Sequence, residues 1–93
     1  MSSMEPEEFQ ELLDQHYKWP AEYMFKFIVK SDLVDSIKAL ESVVAKLDLI
    51  EQTTRSSHGG KYTAFTIRAL MKSSSEVIEI YKDVSEIEGI VAL

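Results

Sequence analysis

The order of strand and helix patterns along the sequence predicts an α+β domain, a ferredoxin-like βαββαβ sandwich with an extra N-terminal helix. Residues 21–30 and 61–72 alternate apolar and polar side chains, which is the pattern of strands that bury one face. Residues 47–55 are more polar and suit an edge strand, because an edge tolerates charged side chains. The apolar end at 90–93 predicts a short last strand.

Apolar residues at helical spacing separate these strands and also precede the first of them. The first such segment, 4–17, has acidic residues in its first turn, where they stabilise the positive end of the helix dipole. The second segment runs over 33–46. The third begins at Ser73, because Ser73 and Glu76 form an S-x-x-E capping box, and Gly89 ends it.

Right-handed crossovers arrange this order as one four-stranded antiparallel sheet with two helices on one face. The expected strand order is 4-1-3-2, which places the strands at 21–30 and 61–72 in the centre, with Phe25 and Phe65 pointing to the helices. The outer face then holds basic and apolar residues together: Met24, Lys26, Ile28, Lys30, Tyr62, Arg68, Leu70 and Lys72. Because an open sheet would leave this apolar area in water, we expect the 4–17 helix, or a second copy of the chain, to cover it.

Length and composition limit the protein to one small domain. The chain has 93 residues, 45% of them hydrophobic, and no cysteine, which excludes disulfides, thiolate catalysis and cysteine-based metal sites. We expect residues 1–18 to form an N-terminal helical extension and residues 19–93 to form the ferredoxin-like domain. The sequence has no signal-peptide pattern and no apolar run long enough to cross a bilayer, so we expect a cytoplasmic protein.

The net charge of −6 is distributed in a way that disfavours nucleic acid as a partner. Residues 1–15 contain five acidic residues and no Lys or Arg, and the remainder is nearly neutral, so no segment has the basic excess that phosphate binding draws on. RNA-recognition domains also need aromatic residues on the third strand, and this sequence has Thr63 and Arg68 at two of those positions. We therefore expect neither a nucleic acid nor a membrane as partner.

No arrangement of residues in the sequence indicates catalysis or a bound metal. The two histidines, His16 and His58, are far apart and have no carboxylates at ligand spacing. His58 precedes two glycines, as in the oxyanion loop of lipase-like hydrolases, but the G-x-S-x-G elbow of those enzymes is missing. We therefore expect a protein without enzyme activity, and expect no catalytic residue, no metal and no cofactor.

Four segments of the sequence together resemble one family. They are Trp19-Pro20, Phe25-Lys26-Phe27-Ile28, the loop Arg55-x-Ser57-x-x-Gly60-Lys61-Tyr62-x-Ala64, and the end Gly89-Ile90-Val91-Ala92-Leu93. This combination is similar to the small bacterial YbeD-like proteins, a family whose function is unknown, over about residues 17–93. The resemblance implies the ferredoxin-like fold and a similarity to ACT-like regulatory domains, which bind amino acids and assemble through their sheets.

The resemblance also indicates candidate residues for binding a ligand or a partner. The matched loop positions, together with two residues of the outer face, are Arg55, Ser57, Gly60, Lys61, Tyr62, Lys26 and Arg68. The leading hypothesis is a non-enzymatic regulatory or protein-interaction module that forms a homodimer or binds an unknown protein partner.

Two other interpretations of the same loop stay open. One is a small-molecule sensing domain of ACT-like type, in which Arg55, Ser57 and Lys61 bind an amino acid or another anion. A glycine often follows the first strand in the family, and Val29-Lys30 stand there instead, which disfavours the sensor. The other interpretation is purely structural, since Gly59-Gly60 permits the positive φ angles that close a hairpin.

Overall fold

The computed structural model describes residues 5–93 and confirms the βαββαβ order after an N-terminal helix. In chain order the elements are α1 (Pro6–His16), β1 (Ala21–Lys30), α2 (Val34–Val44), β2 (Asp48–Ser56), a 3₁₀ turn (His58–Gly60), β3 (Tyr62–Met71), α3 (Ser74–Ser85) and β4 (Ile90–Ala92). The bounds of β1 agree with the predicted strand at both ends. Met4, the predicted start of the first helix, lies outside the described residues.

The strands form a single antiparallel sheet with the order β2-β3-β1-β4. This is the predicted order 4-1-3-2 counted from the opposite edge, so the prediction is confirmed. β1 and β3 pair along their whole length, with Phe25 opposite Ile67 and Lys26 opposite Thr66. Opposite residues of a ladder project to the same side of the sheet, so this register assigns both faces of the central pair.

The inner face of the central strands forms the hydrophobic core. Phe25 and Ile67 are 0% exposed and Phe27 is 1% exposed, and the helices complete the core with Leu40 of α2 and Val77 of α3. These strand residues belong to the apolar set that the alternation assigned to the helix side. The period-two pattern therefore identified the buried face correctly.

The predicted capping residue Ser73 begins α3. Its hydroxyl accepts a hydrogen bond from the backbone N–H of Glu76 at 3.2 Å. We expect Ser73→Ala to lower the free energy of unfolding by about 1 kcal/mol, because this N–H loses its acceptor. Urea denaturation measures the effect. Ser42→Ala, on the exposed surface of α2, is the matched control, and equal losses in both variants would contradict a capping role for Ser73.

The expectation that the first helix covers the outer face of its own sheet is wrong. α1 packs beside α3 instead, on the helix side of the sheet. The ring of Phe9 meets the ring of Tyr81 edge-on with centroids 5.8 Å apart, and Leu13 is only 5% exposed. The Gln10 side chain also donates a hydrogen bond to the Ser75 hydroxyl at 3.1 Å. Covering of the outer face by a second copy stays a prediction.

An aromatic cluster explains where α1 lies. Tyr23 of β1 and Tyr81 of α3 share a hydrogen bond between their hydroxyls at 3.0 Å, and the Tyr17 ring lies 5.5 Å from that of Tyr23. Burial raises the pKa of the Tyr81 hydroxyl, and the hydrogen bond with Tyr23 raises it further, so Tyr81 stays neutral. The narrow apolar stripe of α1 packs better against these aromatic rings than against the outer face, where charged residues lie among the apolar ones.

Candidate functional site

The described helices all pack on the inner side of the sheet and leave its outer face uncovered. The side chains of this face are Glu22, Met24, Lys26, Ile28 and Lys30 of β1, Tyr62, Ala64, Thr66, Arg68 and Leu70 of β3, Asp48, Glu51, Thr53 and Arg55 of β2, and Val91 of β4. Met24 is 47% exposed, Leu70 is 40% exposed and Val91 is 57% exposed. The outer face therefore combines exposed apolar residues with charges from three strands.

Arg68 occupies the centre of the outer face and connects three strands. One guanidinium nitrogen, Nη1, lies 2.9 Å from Oε2 of Glu22 on β1, and Nη2 lies 3.2 Å from Oε1 of Glu51 on β2. Its Nε atom is buried and has no hydrogen-bond partner among the described residues. Two carboxylates thus hold the planar guanidinium in place at the middle of the sheet.

Arg55 and Lys26 lie on the same face as Arg68 but are not part of its ion-pair network. Arg55 belongs to the end of β2, where Thr53, Ala64 and Thr66 help to line a depression of about 270 Å³. Neither Arg55 nor Lys26 forms a salt bridge with any residue in the range 5–93. Both therefore present charges that a binding partner can neutralise.

Ser57 closes the hairpin between β2 and β3 with its backbone and its hydroxyl. Its N–H donates to the Tyr62 carbonyl at 2.8 Å, and its hydroxyl accepts from the Tyr62 N–H at 2.9 Å. Gly59 and Gly60 adopt φ angles of 82° and 74°, and a Cβ added at either would meet no atom within 4 Å. The backbone conformation, not crowding by a neighbour, therefore accounts for both glycines.

The same turn meets the start of α2 in a cleft of about 390 Å³. Its lining consists of Lys30, Ser31, Asp32, Gly60 and Lys61. The Ser31 N–H donates to the Lys61 carbonyl at 3.0 Å, which joins the two turns. Two lysines and one aspartate at this cleft give a small polar site with a positive balance of charge.

The structure therefore divides the seven predicted site residues into three groups. Lys26, Arg55, Tyr62 and Arg68 lie on the outer face, Gly60 and Lys61 line the cleft, and Ser57 closes the turn. The cleft residues Lys30, Ser31 and Asp32 were missed as site candidates. The predicted central ladder pairs Lys30 with Tyr62. This pairing alone could have shown that Lys30 and the two residues after it lie beside the loop that precedes Tyr62.

The described residues show no arrangement typical of metal binding. No group of three or more His, Cys, Asp or Glu side chains within residues 5–93 is placed to hold a metal ion. His16 ends α1 and His58 lies in the 3₁₀ turn, and both are exposed. Among the helices in that range, none is long and apolar enough to span a bilayer.

Solved structures with the same fold define the class to which this domain belongs. An uncharacterized protein from Thermotoga maritima matches with a TM-score of 0.67 at 8% identity, covering 77% of this chain and 90% of its own. The ACT domain from the GTP pyrophosphokinase of Chlorobium tepidum matches with a TM-score of 0.57 at 9% identity, covering 78% of this chain and 100% of its own. The domain therefore has a ferredoxin-like fold, similar to that of this ACT domain.

The family follows from the sequence match. A family described as "Protein of unknown function (DUF493)" matches residues 14–93. The chain belongs to this family, which is the YbeD family, so the resemblance of its strands and loop is confirmed. A comparison with the curated proteins finds no match.

Proposed function

We propose that this chain is a non-enzymatic interaction module that binds a protein surface with the outer face of its sheet. The observation that supports this most directly is the exposure of Met24, Leu70 and Val91 on a face that no element within residues 5–93 covers. Apolar groups gain about 25 cal/mol for each Å² that a partner removes from water. Burying about 200 Å² of them would contribute about 5 kcal/mol to binding.

The charges of the outer face would give such a contact its orientation. Arg68 is already held by Glu22 and Glu51, so a partner does not have to order this long side chain. Lys26 and Arg55 stand beside this network and suit acidic side chains on the partner. Exposed apolar residues combined with charges that a partner can pair are the composition expected of a specific protein contact.

The likeness to an ACT domain supports a regulatory role for this contact. That neighbour is a domain from GTP pyrophosphokinase, so a fold of this kind is found within an enzyme. The proposed module would act by binding another protein and not by catalysis. The regulatory role rests on similarity of fold. The contact through the outer face rests on the residues named above, and mutation of those residues tests it.

A pull-down with paired variants tests the proposal. We expect the unmodified chain to capture a protein, and Met24→Asp/Leu70→Asp to capture it at least about tenfold less, because both exposed apolar side chains lie beside Arg68 and would be buried in the contact. Val34→Asp/Leu12→Asp is the matched control, since these residues are 56% and 39% exposed on the helices. Equal capture by both double variants, with melting temperatures confirming that each is folded, would refute a contact through the outer face.

A second candidate function is the sensing of a small anion, and the cleft beside the hairpin turn favours it. Lys30 and Lys61 both line this cleft, and the Ser31 hydroxyl shares a hydrogen bond with that of Thr63 at 2.7 Å. A thermal-shift screen of amino acids and inorganic phosphate tests it. A true ligand at a hundred times its Kd stabilises the fold by about 2.7 kcal/mol, and Lys30→Glu/Lys61→Glu should abolish that shift. If no compound raises the melting temperature, anion sensing is contradicted, whereas the proposed protein contact is unaffected.

A further inference from the structure

The depression on the outer face is formed by a small residue that stands among larger ones. Thr53, Arg55, Ala64 and Thr66 line it, and its volume is about 270 Å³. The ladder between β2 and β3 pairs Thr53 with Thr66 and Arg55 with Ala64, so all four side chains project from the same side of the sheet. Because Ala64 has only a methyl group, it leaves the space between its neighbours open.

The polar side chains of the depression are available to a ligand. Within residues 5–93 the Arg55 guanidinium forms no salt bridge, and no side-chain hydrogen bond involves Arg55, Thr53 or Thr66. Lys26 pairs with Thr66 on the side away from β2, and its ammonium group also has no carboxylate partner in that range. The guanidinium and the ammonium group are donors only, and hydroxyl groups can donate as well. The depression therefore suits an anionic group, such as a carboxylate or a phosphate.

The carboxylates of the outer face are either already paired or distant from the depression. Glu51 is the acidic residue closest to Thr53 along β2, and its Oε1 lies 3.2 Å from Nη2 of Arg68. Glu22 is held at 2.9 Å by the other terminal nitrogen of the same guanidinium. Asp48 stands at the far end of β2. An anion in the depression therefore meets two unpaired cations before it meets an unpaired carboxylate.

A row of apolar residues leads from the depression across the sheet. Ala64 pairs with Ile28 of β1, and Ile28 pairs with Val91 of β4, which is 57% exposed. Neighbouring strands are about 4.8 Å apart, so Ile28 and Val91 lie about 5 Å and about 10 Å from Ala64. In an extended segment, side chains two residues apart point to the same side and are separated by about 7 Å. Such a segment can place an anionic side chain in the depression and an apolar side chain between Ile28 and Val91.

We propose that the outer face binds an extended segment of a partner protein, with an anionic side chain in the depression beside Arg55 and an apolar side chain, two residues away, on Ile28 and Val91. The inference rests on the proposed function and deepens it by naming the chemistry of the segment that the partner supplies. A carboxylate and a phosphorylated hydroxyl share this chemistry, because both accept hydrogen bonds from the guanidinium fork. A free anion would use only the polar half of the site and leave the apolar row in water.

An NMR titration of the ¹⁵N-labelled chain with three capped peptides tests the proposal. The peptides share one sequence, in which a leucine lies two residues from a central position that holds phosphoserine, glutamate or serine. We expect a charged peptide to bind at least about tenfold more tightly than the serine peptide and to shift the amide signals of Ala64 and Thr66. The charged peptide that binds more tightly identifies the source of the anion. Replacing its leucine with serine should weaken binding about fivefold.

Two variants of the depression, each with a matched control, locate the bound anion. Arg55→Gln should raise the dissociation constant of the charged peptide about tenfold, because it removes the guanidinium charge. Ala64→Leu should raise it by a similar factor, because the larger side chain fills the depression without changing any charge. Lys38→Gln and Ala45→Leu make the same kinds of change at exposed positions in α2 and at its C-terminal end, and should leave the dissociation constant unchanged. Circular dichroism confirms that each variant is folded.

The outcomes distinguish this site from the proposed function. Equal binding of the three peptides, or unchanged binding in Arg55→Gln and Ala64→Leu, would overturn the depression as the site, and so would signal shifts confined to the cleft beside the hairpin turn. Inorganic phosphate that displaces the phosphoserine peptide with the same dissociation constant would overturn a peptide segment as the ligand. The pull-down with Met24→Asp/Leu70→Asp decides the proposed function separately. If peptide binding fails while capture still depends on the outer face, only this inference is overturned.

Discussion

Replacing Phe25 with alanine is expected to lower the free energy of unfolding by about 3–5 kcal/mol. The ring is 0% exposed and lies within an aromatic group, with centroids 4.8 Å from Tyr23 and 5.3 Å from Tyr81. The substitution removes these contacts and leaves a cavity that the paired strands cannot close. Since small domains have about 5–15 kcal/mol of net stability, the loss is a large part of the total.

Urea denaturation measures this effect, and the neighbouring residue provides its control. Met24 follows the same backbone but lies on the outer face, 47% exposed. We expect Met24→Ala to change the free energy of unfolding by no more than about 0.5 kcal/mol. If the two variants unfold at the same urea concentration, the assignment of the two sheet faces is wrong.

Replacing Leu13 with alanine is expected to lower the free energy of unfolding by about 2–3 kcal/mol, at the low end of the range for buried leucines. Leu13 is the buried residue of α1, whose remaining contacts with α3 involve Phe9 and an exposed hydrogen bond from Gln10. Without Leu13, α1 keeps too little buried area to stay attached, because a helix this short is marginal by itself.

The preceding residue of the same helix is the matched control. Leu12 is 39% exposed, so Leu12→Ala is expected to cost less than about 1 kcal/mol. Thermal unfolding followed by far-UV circular dichroism compares the two variants. A smaller loss of stability for Leu13→Ala than for Leu12→Ala would contradict the packing of α1 beside α3.

The main features of the fold were predictable because each depends on a local pattern. The alternation at 21–30 identified both the bounds of β1 and its buried face, since side chains of a strand alternate between two surfaces. The polarity of 47–55 identified an edge strand, because β2 contacts water on both faces. Once the order βαββαβ was known, the handedness of crossovers left one arrangement of the strands.

The position of α1 could not be predicted in the same way. Its stripe of apolar residues shows that the helix packs against something, but periodicity does not say against which surface. The surface it uses combines Tyr23 with Tyr81, which are 58 residues apart in the chain and share a hydrogen bond. Only the packed structure shows that these rings form an aromatic surface beside α3.

The candidate site was predictable in part, for a related reason. Lys26 and Arg68 were assigned to the outer face by alternation, and the register confirms that position. The two carboxylates that hold Arg68 come from different strands, and pairing them with it required the register of β2 and the bulge before Glu51. That these residues bind a partner stays a prediction, which the variants described above test.

The environment of Trp19 gives this protein an internal optical reporter. It is the one tryptophan in the sequence, its ring stacks on Tyr17 with centroids 5.2 Å apart, and its Nε1–H donates to the Asp14 carboxylate at 2.8 Å. Both partners belong to the end of α1 or follow it directly. Its fluorescence spectrum should therefore report the attachment of α1 separately from events on the far side of the sheet. Partner binding at the outer face would leave the emission maximum unchanged, whereas release of α1 would shift it to the red.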